Sequence, residues 1–210
     1  MNKKGKFIVF EGIDGSGKST QLHILAERMS KLGRKCHETL EPTYGPIGSL
    51  LHNILSGRIK ADPKVIAGLF VSDRLDHLLN ETDGICGKID SGITVLCDRY
   101  YFSSYAYQGV DVPLEWVLNA NSLCADTLKP DLTVFIDVAP ECAMKRINSG
   151  RTQTELFENT ERLTAVRQGY MEIFEKLKND ENIVIIDGSG SVDEISERVF
   201  RAVSPLFELE

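Results

Sequence analysis

Short apolar runs alternate along the chain with longer segments whose apolar residues recur every three to four positions. A short apolar run bounded by turn residues is typical of a buried strand, and the wider spacing is typical of an amphipathic helix. The predicted strands cover residues 7–10, 35–40, 92–98, 132–138 and 182–187. Strands that alternate with helices in this way predict a three-layer α/β fold, with a mostly parallel five-stranded sheet between two layers of helices.

Several of the helices between these strands have recognisable beginnings and ends. Asp62 is predicted to cap one helix and Pro63 to lie in its first turn, while Gly33 ends the first helix. Residues 148–153 interrupt the apolar spacing with Asn, Ser, Gly and Arg, which predicts a mobile loop. The predicted helices cover residues 22–32, 47–55, 63–80, 101–109, 113–128, a segment that begins at 140, 156–178 and 192–203.

The first predicted strand leads directly into a glycine-rich stretch with a fixed spacing. Four residues separate Gly12 from Gly17, and Lys18 and Ser19 follow. A strand before this pattern and a helix after it are the context in which the pattern binds phosphate. Glycines let backbone N–H groups turn towards phosphate oxygens, the lysine reaches the outer phosphates, and the serine hydroxyl can ligate Mg²⁺. The predicted phosphate-binding residues are Gly12, Ile13, Asp14, Gly15, Ser16, Gly17, Lys18, Ser19 and Thr20.

Polar segments follow four of the predicted strands. They cover residues 11–19, 41–44, 98–99 and 187–190. The carboxyl ends of parallel strands meet at one edge of a sheet, and ligands of such folds bind beyond that edge. The sequence therefore predicts a single site to which these four segments contribute.

Composition limits the class of protein. The 210 residues are 42% hydrophobic and 26% charged, which is enough for one sizeable core. The formal net charge of -7 argues against a broad basic surface for nucleic acid, and no stretch is long enough to span a membrane. We expect one domain over residues 1–210, located in the cytoplasm. The cysteines lack a C-x-x-C pair and are expected to be reduced and mostly buried: Cys36, Cys86, Cys97, Cys124 and Cys142.

Asp98 and Arg99 come directly after a predicted strand. At that edge the carboxylate can hold Mg²⁺, directly or through water, and the guanidinium can clamp a phosphoryl group. The alternative is a helix-capping aspartate followed by a solvated arginine. The nearby phosphate-binding pattern favours the functional interpretation.

Two further groups are suited to a flat base and a sugar. Phe70 and Arg74 are four residues apart on one predicted helix, so the ring can stack on a base while the guanidinium binds its carbonyl oxygen. Alone, this pair also fits a core phenylalanine with a surface arginine. The second group consists of Ser103, Ser104, Tyr107 and Gln108, which supply neutral hydrogen-bond donors and acceptors and one ring. The alternative is that the aromatic side chains of this segment simply pack in the core.

Basic residues flank the predicted loop at 148–153. Arg146 lies before it and Arg151 within it. Arginines around a flexible loop suit a lid, placed here at residues 146–156, that closes over a transferring phosphoryl group. A solvated basic turn is the alternative. His23, His37, His52 and His77 have no metal-ligand spacing and are interpreted as structural or surface residues.

With these residues laid out, the chain resembles the thymidylate kinase family over nearly its whole length. The resemblance is carried by residues 10–21, 41–43, 70–74 and 98–109, in that order and spacing. It implies a P-loop NTPase fold and transfer of a phosphoryl group from ATP to dTMP with Mg²⁺. It also implies a homodimer. One type of member carries a catalytic arginine in the phosphate loop, where this chain has Gly15, so the resemblance assigns that role to the lid.

The resemblance implies a role for each matching residue. Asp14 would meet the 3′-hydroxyl of dTMP, Phe70 would stack on thymine, Arg74 would bind its carbonyl edge, and Tyr107 would lie against the deoxyribose. Members often carry Arg where this chain has Leu40, so the resemblance implies that one phosphate contact is missing or replaced here. The implied dTMP-binding residues are Asp14, Tyr44, Phe70, Arg74, Arg99, Ser103, Ser104, Tyr107 and Gln108. The implied catalytic residues are Lys18, Arg99, Arg151, Arg146 and Asp14. The implied metal-binding residues are Ser19 and Asp98.

Two alternatives stay open at this stage. Another nucleoside monophosphate or deoxynucleoside kinase would use the same phosphate loop with a different acceptor pocket. A regulatory protein that binds nucleotide without turnover would share the fold, although the presence of Lys18, Ser19, Asp98 and Arg99 argues against decay of the site. A GTPase is disfavoured because the chain has no Asn-Lys-x-Asp guanine-binding sequence.

Overall fold

One strand lies at the centre of a parallel sheet, and the phosphate-binding loop leaves from its carboxyl end. The computed structural model describes residues 4–150 and 159–207. Within those residues the strands are β1 (Phe7–Glu11), β2 (Cys36–Leu40), β3 (Thr94–Asp98), β4 (Leu132–Asp137) and β5 (Ile183–Asp187). Their order across the sheet is β2-β3-β1-β4-β5, and every pairing is parallel. The predicted fold class and all five predicted strands are confirmed.

Helices connect the strands and cover both faces of the sheet. Within the described residues the helices are α1 (Lys18–Lys31), α2 (Pro46–Leu55), α3 (Pro63–Leu79), α4 (Ile85–Asp90), α5 (Tyr101–Tyr107), α6 (Leu114–Thr127), α7 (Pro140–Gly150), α8 (Thr160–Leu177) and α9 (Val192–Val203). α1 packs against α9, while α5 packs on α8 and α3 on α6. Short 3₁₀ turns at Gln108–Val110 and Ser204–Phe207 follow α5 and α9.

The core is built on the central strands. All five residues of β1 are buried, whereas the outer strands β2 and β5 are only partly buried. Register places Phe10 beside Asp98, so β3 ends next to the point where the phosphate-binding loop begins. The predicted cap is also present, because the Asp62 side chain accepts a hydrogen bond from Lys64 N at the start of α3.

Three local expectations differ from the structure. The sequence pattern did not predict α4, whose six residues bury only Ile85 and Ile89 and so carry little periodicity. The loop predicted to begin at residue 148 is wrong at its start, because the backbone of α7 is helical through Gly150. The long helix predicted from residue 156 begins at Thr160, and residues 151–158 lie outside the described part of the chain.

Two further expectations concern the burial of the cysteine thiols and the presence of membrane-spanning helices. All five cysteines are free, as expected, but only Cys97 and Cys124 are buried, so the expectation of mostly buried thiols is wrong. Among the helices in residues 4–150 and 159–207, none has the length and apolar character needed to cross a membrane.

Candidate active site

The phosphate-binding loop depends on glycine at two positions. Gly12 has φ +149°, and a Cβ atom there would lie 2.7 Å from Ser16 Oγ and 2.8 Å from Ile136 O. Gly15 has φ +76°, and its Cβ would lie 2.5 Å from Ala143 O. Both positions combine a left-handed conformation with close backbone packing, which L side chains do not tolerate. The loop is therefore shaped by contacts with β4 and α7 behind it.

Lys18 is held inside this loop. Its side chain is buried, and Nζ donates a hydrogen bond to Ile13 O at 3.1 Å. Burial lowers the pKa of the ammonium, and the nearby charge of Arg99 lowers it further, against the opposing effect of Asp98 and Asp14. A cation in a desolvated loop interacts strongly with phosphate, because little water screens the attraction.

Ser19 and Asp98 form a pair suited to a divalent cation. Ser19 Oγ donates to Asp98 Oδ2 at 2.5 Å, which brings the start of α1 to the end of β3. The second carboxylate oxygen, Asp98 Oδ1, is buried and has no hydrogen-bond partner among the described residues. A buried acceptor without a donor costs free energy, which a metal ion or a metal-bound water would relieve. Oxygen ligands of these two types fit Mg²⁺.

Arg99 lies beside the phosphate-binding loop. It has φ +73°, an uncommon conformation for a residue with a side chain, and its N–H donates to Phe10 O at 2.9 Å. Its guanidinium donates to Asp14 Oδ1 at 2.5 Å and to Ser103 Oγ at 3.0 Å. The predicted alternative, a solvated arginine, is wrong, because its side chain is only 15% exposed.

Asp14 and Tyr107 complete this cluster. Tyr107 donates from its hydroxyl to Asp14 Oδ2 at 2.9 Å and accepts from Asp14 N at 3.0 Å. Burial opposes ionisation of Asp14, but the charges of Arg99 and Lys18 outweigh it and hold the pKa of this carboxyl below its usual value. Asp14 is therefore an ionised acceptor at neutral pH.

A buried carboxylate supports Arg99 from below. Glu11 is 0% exposed and accepts hydrogen bonds from Tyr100 N, Ser103 N, Ser103 Oγ and Tyr170 OH, at 2.6–3.1 Å. Burial raises the pKa of Glu11, although the hydrogen bond from Ser103 and the charge of Arg99 act in the opposite direction. Ser103 joins this carboxylate to the Arg99 guanidinium, so the two charged groups share one positioning side chain.

The other end of the site has an arginine as its floor. Arg74 is 1% exposed, which excludes the surface arginine of the alternative interpretation. Its Nε donates to Glu41 Oε2 at 2.7 Å and its Nη1 to Ser104 Oγ at 3.0 Å. Burial disfavours the charged guanidinium, but the Glu41 charge outweighs this and raises the pKa of Arg74. The arginine is thus permanently charged and fixed.

Glu41 is shared with two other ligand-type side chains. His77 Nδ1 lies 3.2 Å from Glu41 Oε1, and one potential ligand atom from each of Glu41, His77 and Cys97 lies within 4.8 Å of the others. Burial raises the pKa of the Cys97 thiol well above its usual value, which keeps it protonated. With Glu41 already paired to Arg74, this cluster favours a structural network over a metal centre.

One cavity of about 680 Å³ joins the two ends. Its lining includes Phe70 and Arg74 at one end and Lys18 and Ser19 at the other, with Arg99 between them. Most of the predicted site residues line it. These are Asp14, Gly15, Gly17, Lys18, Ser19, Thr20, Tyr44, Phe70, Arg74, Asp98, Arg99, Ser103, Ser104, Tyr107, Gln108 and Arg146. The structure does not place Gly12, Ile13 or Ser16 on the cavity wall.

Arg146, one of the two predicted lid arginines, contacts the phosphate-binding loop. Arg146 reaches back from α7 and donates to Ser16 O at 3.1 Å and to Gly188 O at 3.1 Å. These contacts argue against a purely solvated basic turn at this residue. Arg151 lies outside the described residues.

Sequence reasoning assigned no individual role to several residues that position the site. Glu11 and Tyr170 support Arg99, Asn121 contacts Arg74, and Asp73 accepts from Thr43 N at 2.8 Å. Buried polar side chains inside apolar stretches were the available signal, but their partners are distant in the sequence. His77, interpreted from the sequence as a structural or surface residue, contacts Thr39 and Glu41.

Tyr44 is 77% exposed at the mouth of the cavity and stacks on His52, with ring centroids 5.2 Å apart.

Comparison with known proteins gives one consistent result. A family model described as "Thymidylate kinase" matches residues 10–199. The thymidylate kinase of Caldicellulosiruptor saccharolyticus is 33% identical, with 98% of each chain covered. The thymidylate kinase of Ligilactobacillus salivarius is 36% identical over 91% of this chain and 94% of its own. That of Leptospira interrogans is 35% identical over 92% and 91%, respectively.

Proposed function

The chain belongs to the thymidylate kinase family, and from this premise we propose that it transfers the γ-phosphoryl group of ATP to dTMP, giving dTDP and ADP. The observation that carries the proposal is the single cavity that has a phosphate-binding loop at one end and the Phe70–Arg74 pair at the other. A nucleoside monophosphate kinase needs both ends, because two nucleotides must meet with their phosphates between them. The alternatives, a kinase for another monophosphate or a silent regulatory protein, are not favoured by any feature of the site.

In this proposal the residues around the loop bring two negatively charged phosphates together. Lys18 holds the outer phosphates of ATP, and Arg99 holds the phosphate of dTMP. Their charges offset the repulsion between donor and acceptor, and in-line positioning supplies most of the remaining rate enhancement. Gly15 leaves no arginine in the loop itself, so further positive charge comes from the lid.

Asp14 and Tyr107 orient the sugar of the acceptor. The ionised carboxylate of Asp14 accepts a hydrogen bond from the 3′-hydroxyl, and the Tyr107 ring lies against the face of the deoxyribose. Their mutual hydrogen bond of 2.9 Å, together with the bond from Arg99 to Asp14, keeps all three groups in one arrangement before substrate arrives. Ser103, Ser104, Tyr44 and Gln108 are proposed as further dTMP-binding residues.

Ser19 and Asp98 are proposed to hold Mg²⁺. The fit rests on the buried, unpartnered Asp98 Oδ1 beside the Ser19 hydroxyl. When bound, the ion would supply positive charge that offsets the negative charge of the nucleotide phosphates. Asp98 would then be held at the end of β3, and Ser19 in the first turn of α1.

The lid, the domain organisation, and the assembly, location and partners of the chain are also proposed. Residues 146–156 are proposed as a lid that carries Arg146 and Arg151 over the phosphates and excludes water. The chain is proposed to form one domain over residues 1–210. It is also proposed to act as a homodimer in the cytoplasm, without nucleic acid or membrane as a partner.

A coupled assay of ADP release tests the proposed reaction. Purified protein is given ATP and Mg²⁺ with dTMP, dUMP, UMP, dCMP, AMP or GMP as acceptor. We expect dTMP to be the best substrate, dUMP the next and UMP poor. Equal use of several monophosphates would contradict the acceptor assignment while leaving the phosphate chemistry in place. An absence of ADP with every acceptor would favour the regulatory alternative.

A further inference from the structure

The guanidinium of Arg74 is held by more than the two contacts described above. Its Nη1 also donates to Asn121 Oδ1, and its Cζ lies 5.4 Å from the centroid of the Tyr100 ring. Glu41 and Ser104 complete the set, so four side chains restrict both the plane and the rotation of the group. A guanidinium has five N–H donors. Because Nε and Nη1 are engaged by these side chains, one edge of the Arg74 guanidinium remains for a ligand.

That remaining edge is Nη2. Among residues 4–150 and 159–207, no group accepts a hydrogen bond from Arg74 Nη2, whereas Nε and Nη1 are both engaged. Arg74 lines the cavity, so its unengaged edge is the part available to a ligand there. The direction in which this donor points depends on the contacts that hold the other two nitrogens.

Asn121 is itself fixed, and it does not touch the cavity. It lies in α6, is 1% exposed, and its Nδ2 donates to Val117 O at 2.9 Å, one turn earlier in the helix. This bond turns Oδ1, the acceptor end of the amide, towards Arg74. Asn121 is absent from the lining of the cavity and therefore acts on a ligand only through the guanidinium.

We propose that Asn121 is a positioning residue that sets base selectivity, by holding Arg74 so that Nη2 presents a fixed N–H donor to the acceptor base. The proposal rests on the proposed function, because it requires a pyrimidine in this end of the cavity. Thymine and uracil have a carbonyl oxygen where cytosine has an amino group. A fixed donor pairs with the carbonyl, whereas against the amino group two donors meet and the buried guanidinium edge stays unpaired.

A mobile guanidinium would discriminate less. If Nη1 lost one acceptor, Arg74 could tilt, which would weaken its bond to a carbonyl and relieve its conflict with an amino group. The two effects act in the same direction on the preference for thymine over cytosine. ATP binds at the other end of the cavity and is expected to be unaffected.

Two variants of Asn121 separate this role from packing. Asn121→Leu keeps the branched shape and the four heavy atoms of the side chain and removes the acceptor, whereas Asn121→Asp keeps an acceptor for Nη1. Asn119→Leu, at an exposed position of the same helix, is the matched control. For each protein, kcat/KM is measured with dTMP and with dCMP, together with KM for ATP and the midpoint of thermal unfolding.

We expect Asn121→Leu to lower the ratio of kcat/KM for dTMP over dCMP by about five- to tenfold, with KM for ATP unchanged. Asn121→Asp is expected to retain the wild-type ratio even if its unfolding midpoint falls, and Asn119→Leu to match wild type. An unchanged ratio in Asn121→Leu, with both substrates losing activity equally, would show a merely structural role and overturn the proposal.

Failure of the proposed function and failure of the role of Asn121 give different results in these measurements. If Asn121→Leu does not fold, Asn121→Ser replaces it, because the shorter hydroxyl removes the contact without adding apolar bulk next to the charge. If wild type uses no pyrimidine monophosphate at all, the proposed function fails. If wild type prefers dTMP but the ratio does not move in the variants, only the role of Asn121 fails.

Discussion

The two ends of the cavity are built in different ways. At the phosphate end, nine consecutive residues from Gly12 to Thr20 supply both a loop shaped by backbone conformation and the first residues of α1, with Lys18 folded back on Ile13 O. At the base end, the Arg74 floor takes its contacts from Glu41, Ser104 and Asn121, which are 33, 30 and 47 residues away. A local loop can be recognised from spacing alone, whereas a floor assembled from distant side chains requires the fold.

The two ends of the cavity also differ in how deeply their charged side chains are buried. At the phosphate end the ion pair of Arg99 and Asp14 lines the cavity, and its side chains are 15% and 29% exposed. The charge of Arg74 is balanced within the protein by Glu41, with side-chain exposures of 1% and 2%. We therefore expect substitutions at the base end to affect folding and those at the phosphate end to affect turnover.

The largest effect is expected from Glu41→Ala. It leaves the buried Arg74 charge without its partner, which costs about 3–5 kcal/mol of unfolding free energy in comparable buried pairs. Denaturant unfolding measures the loss. Glu197→Ala is the control, because its ion pair with Arg28 lies on the surface, where such pairs contribute little. Similar losses in the two variants would remove the distinction drawn between the ends.

Lys18→Ala and Arg99→Ala are expected to leave the fold intact and reduce turnover. Each removes a charge that stabilises the transferring phosphoryl group, and we expect a loss of at least about 2–3 kcal/mol of transition-state stabilisation. Steady-state kcat/KM with dTMP and ATP gives the value, and the unfolding midpoint tests the fold. Lys31→Ala, an exposed lysine of the same helix, is the control. Near-normal turnover in either variant would contradict its assignment.

The smallest effect is expected from Glu11→Gln, and it appears as a pH dependence. Because the pKa of Glu11 is raised in the folded state, that state binds its proton more tightly than the unfolded chain does. Unfolding free energy therefore falls as pH rises from the ordinary glutamate value through the raised one, and this fall is absent from the variant. Urea unfolding at a series of pH values, taken as wild type minus variant, measures it. Parallel curves would show that Glu11 does not titrate abnormally.

The strands and most helices could be predicted because their determinants lie within each segment. β1 is a continuous apolar run, and Asp62 with Pro63 marks the start of α3. The phosphate loop has the same property. α4 escaped because two buried isoleucines in six residues do not establish a period.

The supporting residues of the site could not be predicted, for a physical reason. Asn121 resembles any polar residue of an amphipathic helix until α6 is packed against α3, which brings it to Arg74. Tyr170 likewise meets Glu11 across 159 residues. Burial makes such pairs important, and burial is a property of the assembled fold.

The central place of β1 in the sheet has a consequence for local unfolding. β1 is hydrogen-bonded to β3 on one side and β4 on the other, while β2 and β5, within the described residues, each pair on one side. Edge strands open at lower free energy than strands held on both sides, so amide hydrogens are expected to exchange faster in β2 and β5 than in β1. Opening of either edge strand therefore leaves β1, the strand from which the phosphate-binding loop departs, hydrogen-bonded on both sides.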